Sequence, residues 1–211
     1  MTPRILYEDV HFCVLSKPAG LLSQGDAGGQ ASLVDWCRGH FGRNYVGLVH
    51  RLDRNTSGLM VVAKRSKAAD RLSEALRDGR LERRYLAWLV GALPGPARWS
   101  HFLEKNEQTN VVRVVRQGAG KPAVLTVEPA GRGAFQGVGL TLARFRLETG
   151  RSHQIRAQAA AEGFPLLGDV KYGPASRRAL NEAFGRPALH SCEIAFPHPM
   201  TEAPLRFEDE L

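Results

Sequence analysis

The chain has 211 residues, of which 43% are hydrophobic and 24% charged, so it holds enough apolar side chains to bury a core. Lysine and arginine number 29 against 21 aspartates and glutamates, which gives a formal charge of +8 at pH 7. This excess favours a polyanionic partner, either nucleic acid or an anionic membrane. The sequence has neither an apolar run near the roughly 20 residues that cross a bilayer nor a signal-peptide core, which favours nucleic acid and a cytoplasmic location.

The cysteines and histidines show no metal-binding pattern. Cys13, Cys37 and Cys192 are widely separated, without a Cys-x-x-Cys pair, and are expected to be reduced thiols. The seven histidines are scattered, and no His-Glu-x-x-His motif occurs. We therefore expect no metal site.

The first half of the chain alternates short apolar runs with turn-forming residues. Runs at 5–7 and 12–15 predict a strand pair that ends at the Lys17-Pro18-Ala19-Gly20 turn. A helix over 33–41 is predicted from Ser32 as N-cap, Asp35 three residues later and Gly42 at its end. Strands are predicted at 45–49 and 59–63, and a second helix, capped by Ser66, runs to about residue 81.

Strands dominate the second half. The apolar run at 85–93 predicts a central strand, and residues 111–115 and 138–147 predict two more, with a bulge near Leu142 where the alternation changes phase. A last helix is expected after Gly150, capped by Ser152 and closed by Gly163. Because helices and hairpins do not alternate strictly, we predict an α+β fold with a mixed, largely antiparallel sheet and flanking helices.

One polar connection between predicted strands contains a candidate catalytic group. It reads His50-Arg51-Leu52-Asp53-Arg54-Asn55-Thr56-Ser57-Gly58 and places one carboxylate between two guanidinium groups. Opposite charges a few ångströms away favour the ionised form of Asp53, which suits a nucleophile or an electrostatic stabiliser. The alternative is a solvated salt-bridge network without a catalytic role.

A second, distant segment reads Leu147-Glu148-Thr149-Gly150-Arg151-Ser152-His153-Gln154-Ile155-Arg156. Together the two segments resemble the RluA-type pseudouridine synthases, which isomerise uridine to pseudouridine in structured RNA. Lys17-Pro18-Ala19-Gly20 resembles the family's Lys-Pro-x-Gly element, and Arg84-Tyr85-Leu86-Ala87 its Lys-x-Tyr-x-Ala element. The departure is Arg83, which stands where the family usually has Lys and preserves the charge.

The resemblance implies a pseudouridine synthase fold with a central catalytic cleft, formed as a single catalytic domain over 1–211 without an N-terminal S4 RNA-binding domain. It makes Asp53 the catalytic residue, which either adds to the pyrimidine ring or assists departure of the base from C1′. Tyr85 would stack on the flipped uracil and take part in proton transfer. Arg156 would pair with Asp53, with Arg151 as the rival for that contact.

Further residues are expected to bind the substrate. Arg51 would fill the space that the flipped base leaves, and Lys17 would grip a phosphate. The other candidates, all within the two motif segments, are Arg54, Thr56, Arg151 and His153.

The expected partner is structured RNA, with transfer RNA slightly favoured and ribosomal RNA possible. No cofactor and no metal are expected, and the protein is expected to be a monomer. One alternative is a catalytically inactive RNA-binding module of the same fold. Another is a hydrolase using Asp53, which would usually need a partner carboxylate, a metal or a Ser-His arrangement.

Overall fold

Strands make up most of the regular structure in the computed structural model, which describes residues 2–25 and 28–210. Within these residues the strands are β1 (Arg4–Glu8), β2 (Phe12–Lys17), β3 (Gly47–Leu48), β4 (Ser57–Ala63), β5 (Glu82–Val90), β6 (Ala97–Asn106), β7 (Val111–Val115), β8 (Lys121–Phe135), β9 (Val138–Leu147), β10 (Leu189–Pro197) and β11 (Pro204–Glu208). The α-helices there are α1 (Leu33–Phe41), α2 (Ser66–Arg77), α3 (Gln154–Ala161) and α4 (Arg178–Phe184). The chain divides into two compact units, one comprising residues up to Arg83 and from His190 onward, the other residues 84–189.

The first unit has a mixed sheet with the strand order β1-β2-β4-β10-β11, and β3 lies beside β4. Its strand pairs are antiparallel except β4 with β10, which is parallel. Nearly every residue of β2 and β4 is buried, which explains why both strands are continuous apolar runs. Helix α2 contributes Ala68, Leu72 and Ala75 to the core cluster on this sheet.

The second unit is an antiparallel sheet with the order β5-β9-β8-β6-β7. Its register shifts between Pro129 and Gly131 of β8, which pair with Ala143 and Leu142 of β9. The shift inserts Ala130 as one extra residue. The predicted irregularity near Leu142 therefore exists, but the additional residue belongs to the partner strand.

The predicted fold class is confirmed, and so are most of the elements. Helix α1 has the expected capping box, with the Ser32 hydroxyl and the Asp35 carboxylate each accepting from the other residue's backbone N–H, and Gly42 ends it in the left-handed conformation. Strand β7 matches the predicted 111–115 and β9 the predicted 138–147. The strand expected at 45–49 is reduced to two residues, and the strand expected at 85–93 runs over Glu82–Val90.

Two helix boundaries differ from the prediction. Ser66 is the first residue of α2, and its N-cap is Arg65, which makes no side-chain capping bond; the helix ends at Arg77. The N-cap of α3 is His153 in the left-handed conformation (φ 49°, ψ 23°), so Ser152 as cap was wrong. The N-cap makes no side-chain capping bond. The side chain of Gln154 instead ties the preceding segment to the helix, because its Oε1 accepts from the Thr149 hydroxyl at 2.8 Å and from the Arg151 N–H at 3.0 Å.

Two of the three cysteines have thiols that burial keeps protonated. Cys13 and Cys37 are buried, and burial raises the pKa of each to about 12, so both stay protonated at neutral pH. Among residues 2–25 and 28–210, no group of three or more His, Cys, Asp or Glu is placed to hold a metal ion. No helix in that part of the chain has the length and apolarity to cross a membrane.

The buried imidazole of His50 predicts an acid-sensitive step in stability. Burial, with a smaller effect from Arg83, lowers the His50 pKa from 6.5 to about 3. Between these two pKa values, His50 is protonated in the unfolded chain and neutral in the folded chain. The contribution of His50 to the free energy of unfolding is fully present above pH 6.5. Between pH 6.5 and pH 3 it decreases by about 1 kcal/mol for each pH unit. The measurement is urea unfolding between pH 7 and 4.5.

His50→Gln is the matched variant, because an amide oxygen can still accept the Val61 N–H that bonds His50 Nε2 at 3.3 Å. Its unfolding free energy should vary less steeply with pH than that of the parent. Equal pH slopes in the two proteins would rule out this account of His50.

Candidate active site

Asp53 lies at the start of a tight turn between β3 and β4. The Thr56 N–H donates to the Asp53 carbonyl at 3.1 Å, which closes the turn. The Asp53 side chain is half-buried, whereas Arg51 and Arg54 beside it are exposed. The turn thus presents one carboxylate among solvent-facing guanidinium groups.

The turn is anchored on its N-terminal side by Leu52. The Leu52 side chain is 6% exposed, and its backbone is bonded twice by Ser23, whose hydroxyl donates to the Leu52 carbonyl at 2.7 Å and accepts from the Leu52 N–H at 3.1 Å. This pair of bonds fixes the backbone immediately before Asp53.

A buried ammonium anchors the middle of the turn. Lys17 is fully buried, and its Nζ donates to the carbonyls of Pro18 at 3.0 Å, Leu21 at 2.8 Å and Arg54 at 3.1 Å. The Gly20 N–H also donates to the Arg54 carbonyl at 2.8 Å, and Arg54 Nε donates to the Gly20 carbonyl at 3.1 Å. The Lys17–Gly20 segment and the Asp53 turn therefore hold each other in place.

Two residues that were expected to contact the substrate, Lys17 and Thr56, are buried in this structure. Lys17 Nζ is bonded to backbone oxygens, so in this structure it positions the Asp53 turn; contact with phosphate stays a prediction. Thr56 is 3% exposed, and its described bond is the one that closes the turn. Arg51 and Arg54 are the exposed cations of this motif segment, which suits direct contact with RNA.

In the second unit, Tyr85 lies on β5 opposite Phe145 of β9 and is 4% exposed. The ring is therefore buried in this structure, and its stacking on uracil stays a prediction. Two residues earlier, and in the first unit, Arg83 is 7% exposed, and its Nε has no hydrogen-bond partner among the described residues. Arg83, which stands where the family usually has Lys, is therefore a buried residue.

Arg156 on α3 is held by a carboxylate that the sequence analysis did not identify. Its Nε donates to Asp169 Oδ2 at 2.7 Å and its Nη2 to Asp169 Oδ1 at 2.9 Å, and Asp169 is 1% exposed. The guanidinium also lies 5.0 Å from the centre of the Tyr172 ring. A two-point bond of this kind fixes the plane of the guanidinium.

Asp169 is itself fixed by its own turn. Its Oδ1 accepts from the backbone N–H groups of Lys171 at 3.1 Å and Tyr172 at 3.2 Å. The signal in the sequence was the Gly168-Asp169 pair within a turn-forming stretch, but nothing local links it to Arg156. Pairing of Asp53 with Arg156 or Arg151 stays a prediction.

The remaining motif residues surround the start of α3. His153 Nδ1 lies 2.7 Å from the Tyr172 hydroxyl, within hydrogen-bond distance, and that hydroxyl also accepts from the Val112 N–H at 2.9 Å. Arg151 is exposed, and its Nε donates to the Pro122 carbonyl at 2.9 Å. Arg151 thus keeps a solvent-facing cation, whereas His153 is tied to Tyr172.

The site residues therefore lie in two ordered segments, one in each unit. One offers a half-buried carboxylate on a fixed turn, and the other offers a buried tyrosine and a clamped guanidinium. A carboxylate of this kind can add to an electrophilic carbon or stabilise a developing positive charge.

Comparison with known proteins defines the class. The family model described as RNA pseudouridylate synthase matches residues 11–161, and the chain belongs to this family. The matched range includes both motif segments, with Asp53, Tyr85 and Arg156 inside it.

Relatives of known name agree with this assignment. The chain is 35% identical over 215 residues to the ribosomal large subunit pseudouridine synthase C of Escherichia coli K12, covering 97% of this chain and 65% of that protein. It is 34% identical over 227 residues to the ribosomal large subunit pseudouridine synthase D of Zymomonas mobilis, covering 98% of this chain and 68% of that protein. The chain spans just under two thirds of the length of the synthase C relatives.

Solved structures share the fold. Human RNA pseudouridylate synthase domain containing 1 superposes with a TM-score of 0.84 at 23% identity, covering 100% of this chain and 84% of that one. Human RNA pseudouridylate synthase domain containing 4 gives 0.76 at 21% identity, covering 99% and 88%.

The Lys17 contacts predict that Lys17→Met destabilises the protein. Methionine fills similar volume but leaves three carbonyls without this donor, at a cost of about 3 kcal/mol or more. Urea unfolding measures the loss, and Lys67→Met, at an exposed lysine of α2, is the control and should stay within about 0.5 kcal/mol of the parent. Unchanged stability together with weakened RNA binding would instead make Lys17 a phosphate contact.

Proposed function

We propose that this chain isomerises uridine to pseudouridine in structured RNA, with Asp53 as the catalytic carboxylate. The observation that supports this most is the Asp53 turn. Within the range matched by the family model, it is bonded by Ser23, by Lys17 and by its own Thr56. A group held this firmly needs little reorganisation during a reaction.

The proposed reaction needs no external reactant. The N1–C1′ bond of uridine breaks, the ring turns while it stays bound, and a C5–C1′ bond forms. The proton on C5 is lost to solvent, and N1 gains one, so mass and charge balance. Asp53 either adds to the pyrimidine ring or assists departure of the base at C1′, and an ionised carboxylate serves both routes.

The surrounding residues have proposed roles in base flipping. Extruding a stacked uridine costs on the order of a few kcal/mol. The exposed Arg51 would stack where the base was and bind phosphate, while Arg54 and Arg151 would add further phosphate contacts. Tyr85 would stack on the uracil, and Arg156, oriented by Asp169, would pair with Asp53.

The class of RNA is a finer part of the proposal. The sequence slightly favours transfer RNA, with ribosomal RNA possible, whereas the relatives above are named ribosomal large subunit synthases, which supports ribosomal RNA. Both classes therefore belong in the assay. A single catalytic domain, a monomeric state and a cytoplasmic location also stay predictions.

The substitution Asp53→Asn tests the catalytic carboxylate. This change keeps the size of the side chain and removes its charge, so we expect release of tritium from RNA labelled at uridine C5 to fall by about 10⁴-fold or more. The assay uses total transfer RNA and large-subunit ribosomal RNA in parallel. Asp70→Asn, at an exposed position of α2, is the control and should retain the parent's rate.

Other outcomes have distinct meanings. RNA binding by the parent without tritium release from either RNA would favour the inactive binding module. Release of free uracil would favour the hydrolase. Parental rates in Asp53→Asn would remove Asp53 from the mechanism.

The substitution Tyr85→Phe tests the role of the tyrosine hydroxyl. Phenylalanine keeps the stacking ring and removes the hydroxyl, so we expect kcat to fall by about 10²-fold with KM changed less than threefold, since the hydroxyl serves proton transfer. Tyr85→Leu should additionally raise KM, because stacking is lost. Single-turnover and steady-state tritium release separate the two effects; a Phe variant with the parent's kcat would limit Tyr85 to stacking.

A further inference from the structure

A second polar cluster lies directly behind the Asp53 turn, where β4 begins. Ser57 Oγ lies 2.9 Å from His190 Nδ1. Strands β4 and β10 pair in parallel over two residue pairs, His190 with Ser57 and Ser191 with Gly58. Since the ladder is this short, the side-chain bond is a substantial part of the connection between the strands.

The partners of His190 hold the imidazole ring in place. His190 Nε2 lies 3.1 Å from the Asp209 carbonyl oxygen and 3.4 Å from Asp209 Oδ2. Both are acceptors, so Nε2 carries a ring hydrogen, and Nδ1 is directed at the Ser57 hydroxyl. The hydroxyl of Ser57 is thereby bonded to a ring whose orientation is set by Asp209.

Asp209 links this cluster to the remainder of the first unit. Its side chain is 4% exposed, and its Oδ1 accepts from Arg4 Nη2 on β1. Its N–H donates to the Cys192 carbonyl on β10 at 2.9 Å. The cluster therefore connects the start of β4 to residues near both ends of the chain.

The backbone at Gly58 lies too close to β10 to leave space for a side chain. Gly58 has φ +107°, and a Cβ there would lie 2.3 Å from the Ser191 carbonyl oxygen. The start of β4 is thus in direct contact with β10. Ser57 follows Thr56, whose N–H closes the Asp53 turn.

We propose that Ser57, His190 and Asp209 are positioning residues that fix the C-terminal end of the Asp53 turn. For its effect on catalysis, this inference rests on the proposed role of Asp53. Ser23 and Lys17 hold the turn from the N-terminal side and the middle, and the Ser57–His190 bond completes the constraint. None of the three residues is a reagent in the reaction.

The test compares Ser57→Ala with Ser57→Thr, because only the second keeps a hydroxyl. Each changes the half-buried Ser57 side chain by a single group, so both variants are expected to fold. Ser100→Ala, at an exposed serine of β6, is the matched control. All proteins are assayed well below their unfolding midpoints, which separates positioning from loss of folded protein.

Two readouts are expected to move together. In Ser57→Ala, amide hydrogen exchange of Thr56 should accelerate by about tenfold without RNA present, since the turn opens more readily. In the tritium assay its kcat should fall by about 10-fold to 10²-fold, with KM within twofold of the parent. Ser57→Thr and Ser100→Ala should stay within about threefold of the parent in both readouts.

The exchange measurement stands apart from the proposed function, because it needs no activity. Faster Thr56 exchange in Ser57→Ala would support the positioning role even if the parent made no pseudouridine. Unchanged exchange would overturn the inference, as would a parental kcat in Ser57→Ala in an active enzyme. Equal losses in Ser57→Ala and Ser57→Thr would also contradict it.

Discussion

The buried ammonium of Lys17 is the constraint on which the carboxylate half of the site depends. Removing a charge from water is costly unless polar partners replace the hydration shell. Here the replacements are the carbonyls of Pro18, Leu21 and Arg54. Two of them belong to the turn that follows Lys17, and the third belongs to the Asp53 turn. Satisfying one buried charge therefore sets the conformation of two distant segments at once, and the position of Asp53 follows from it.

The second unit uses a buried charge in the same way. Asp169 is enclosed and binds the Arg156 guanidinium at two points, while the N–H groups of its own turn bond one of its oxygens. The Asp169 carboxylate, which lies in a turn after α3, thus orients the Arg156 guanidinium on that helix. In both units the charge that fixes the segment is buried, whereas the cations Arg51, Arg54 and Arg151 of the two motif segments are exposed. This separates groups that hold the site from groups suited to phosphate.

Sequence patterns located the elements and the two motif segments because these depend on local spacing. The capping box of α1 and the strands β7 and β9 follow from residues only a few positions apart. The contacts that position the site are not local. Arg156 meets Asp169 across 13 residues, and Ser57 meets His190 across 133. A lysine in a turn also resembles a surface charge, so the burial of Lys17 had no signal of its own. The wrong cap at Ser152 has a related cause, because the N-cap of α3 is His153 in the left-handed conformation, which that residue type does not signal in the sequence.

A rigid site has a specific advantage for the proposed reaction. Flipping a uridine requires unstacking, on the order of a few kcal/mol, and the energy must come from contacts with the RNA. If the Asp53 turn also had to become ordered, the same contacts would have to offset that entropy. The bonds from Lys17 and Ser23 order the turn during folding instead. The binding energy of the exposed arginines then remains available for extruding the base, which is where the transition state of the proposed isomerisation needs it.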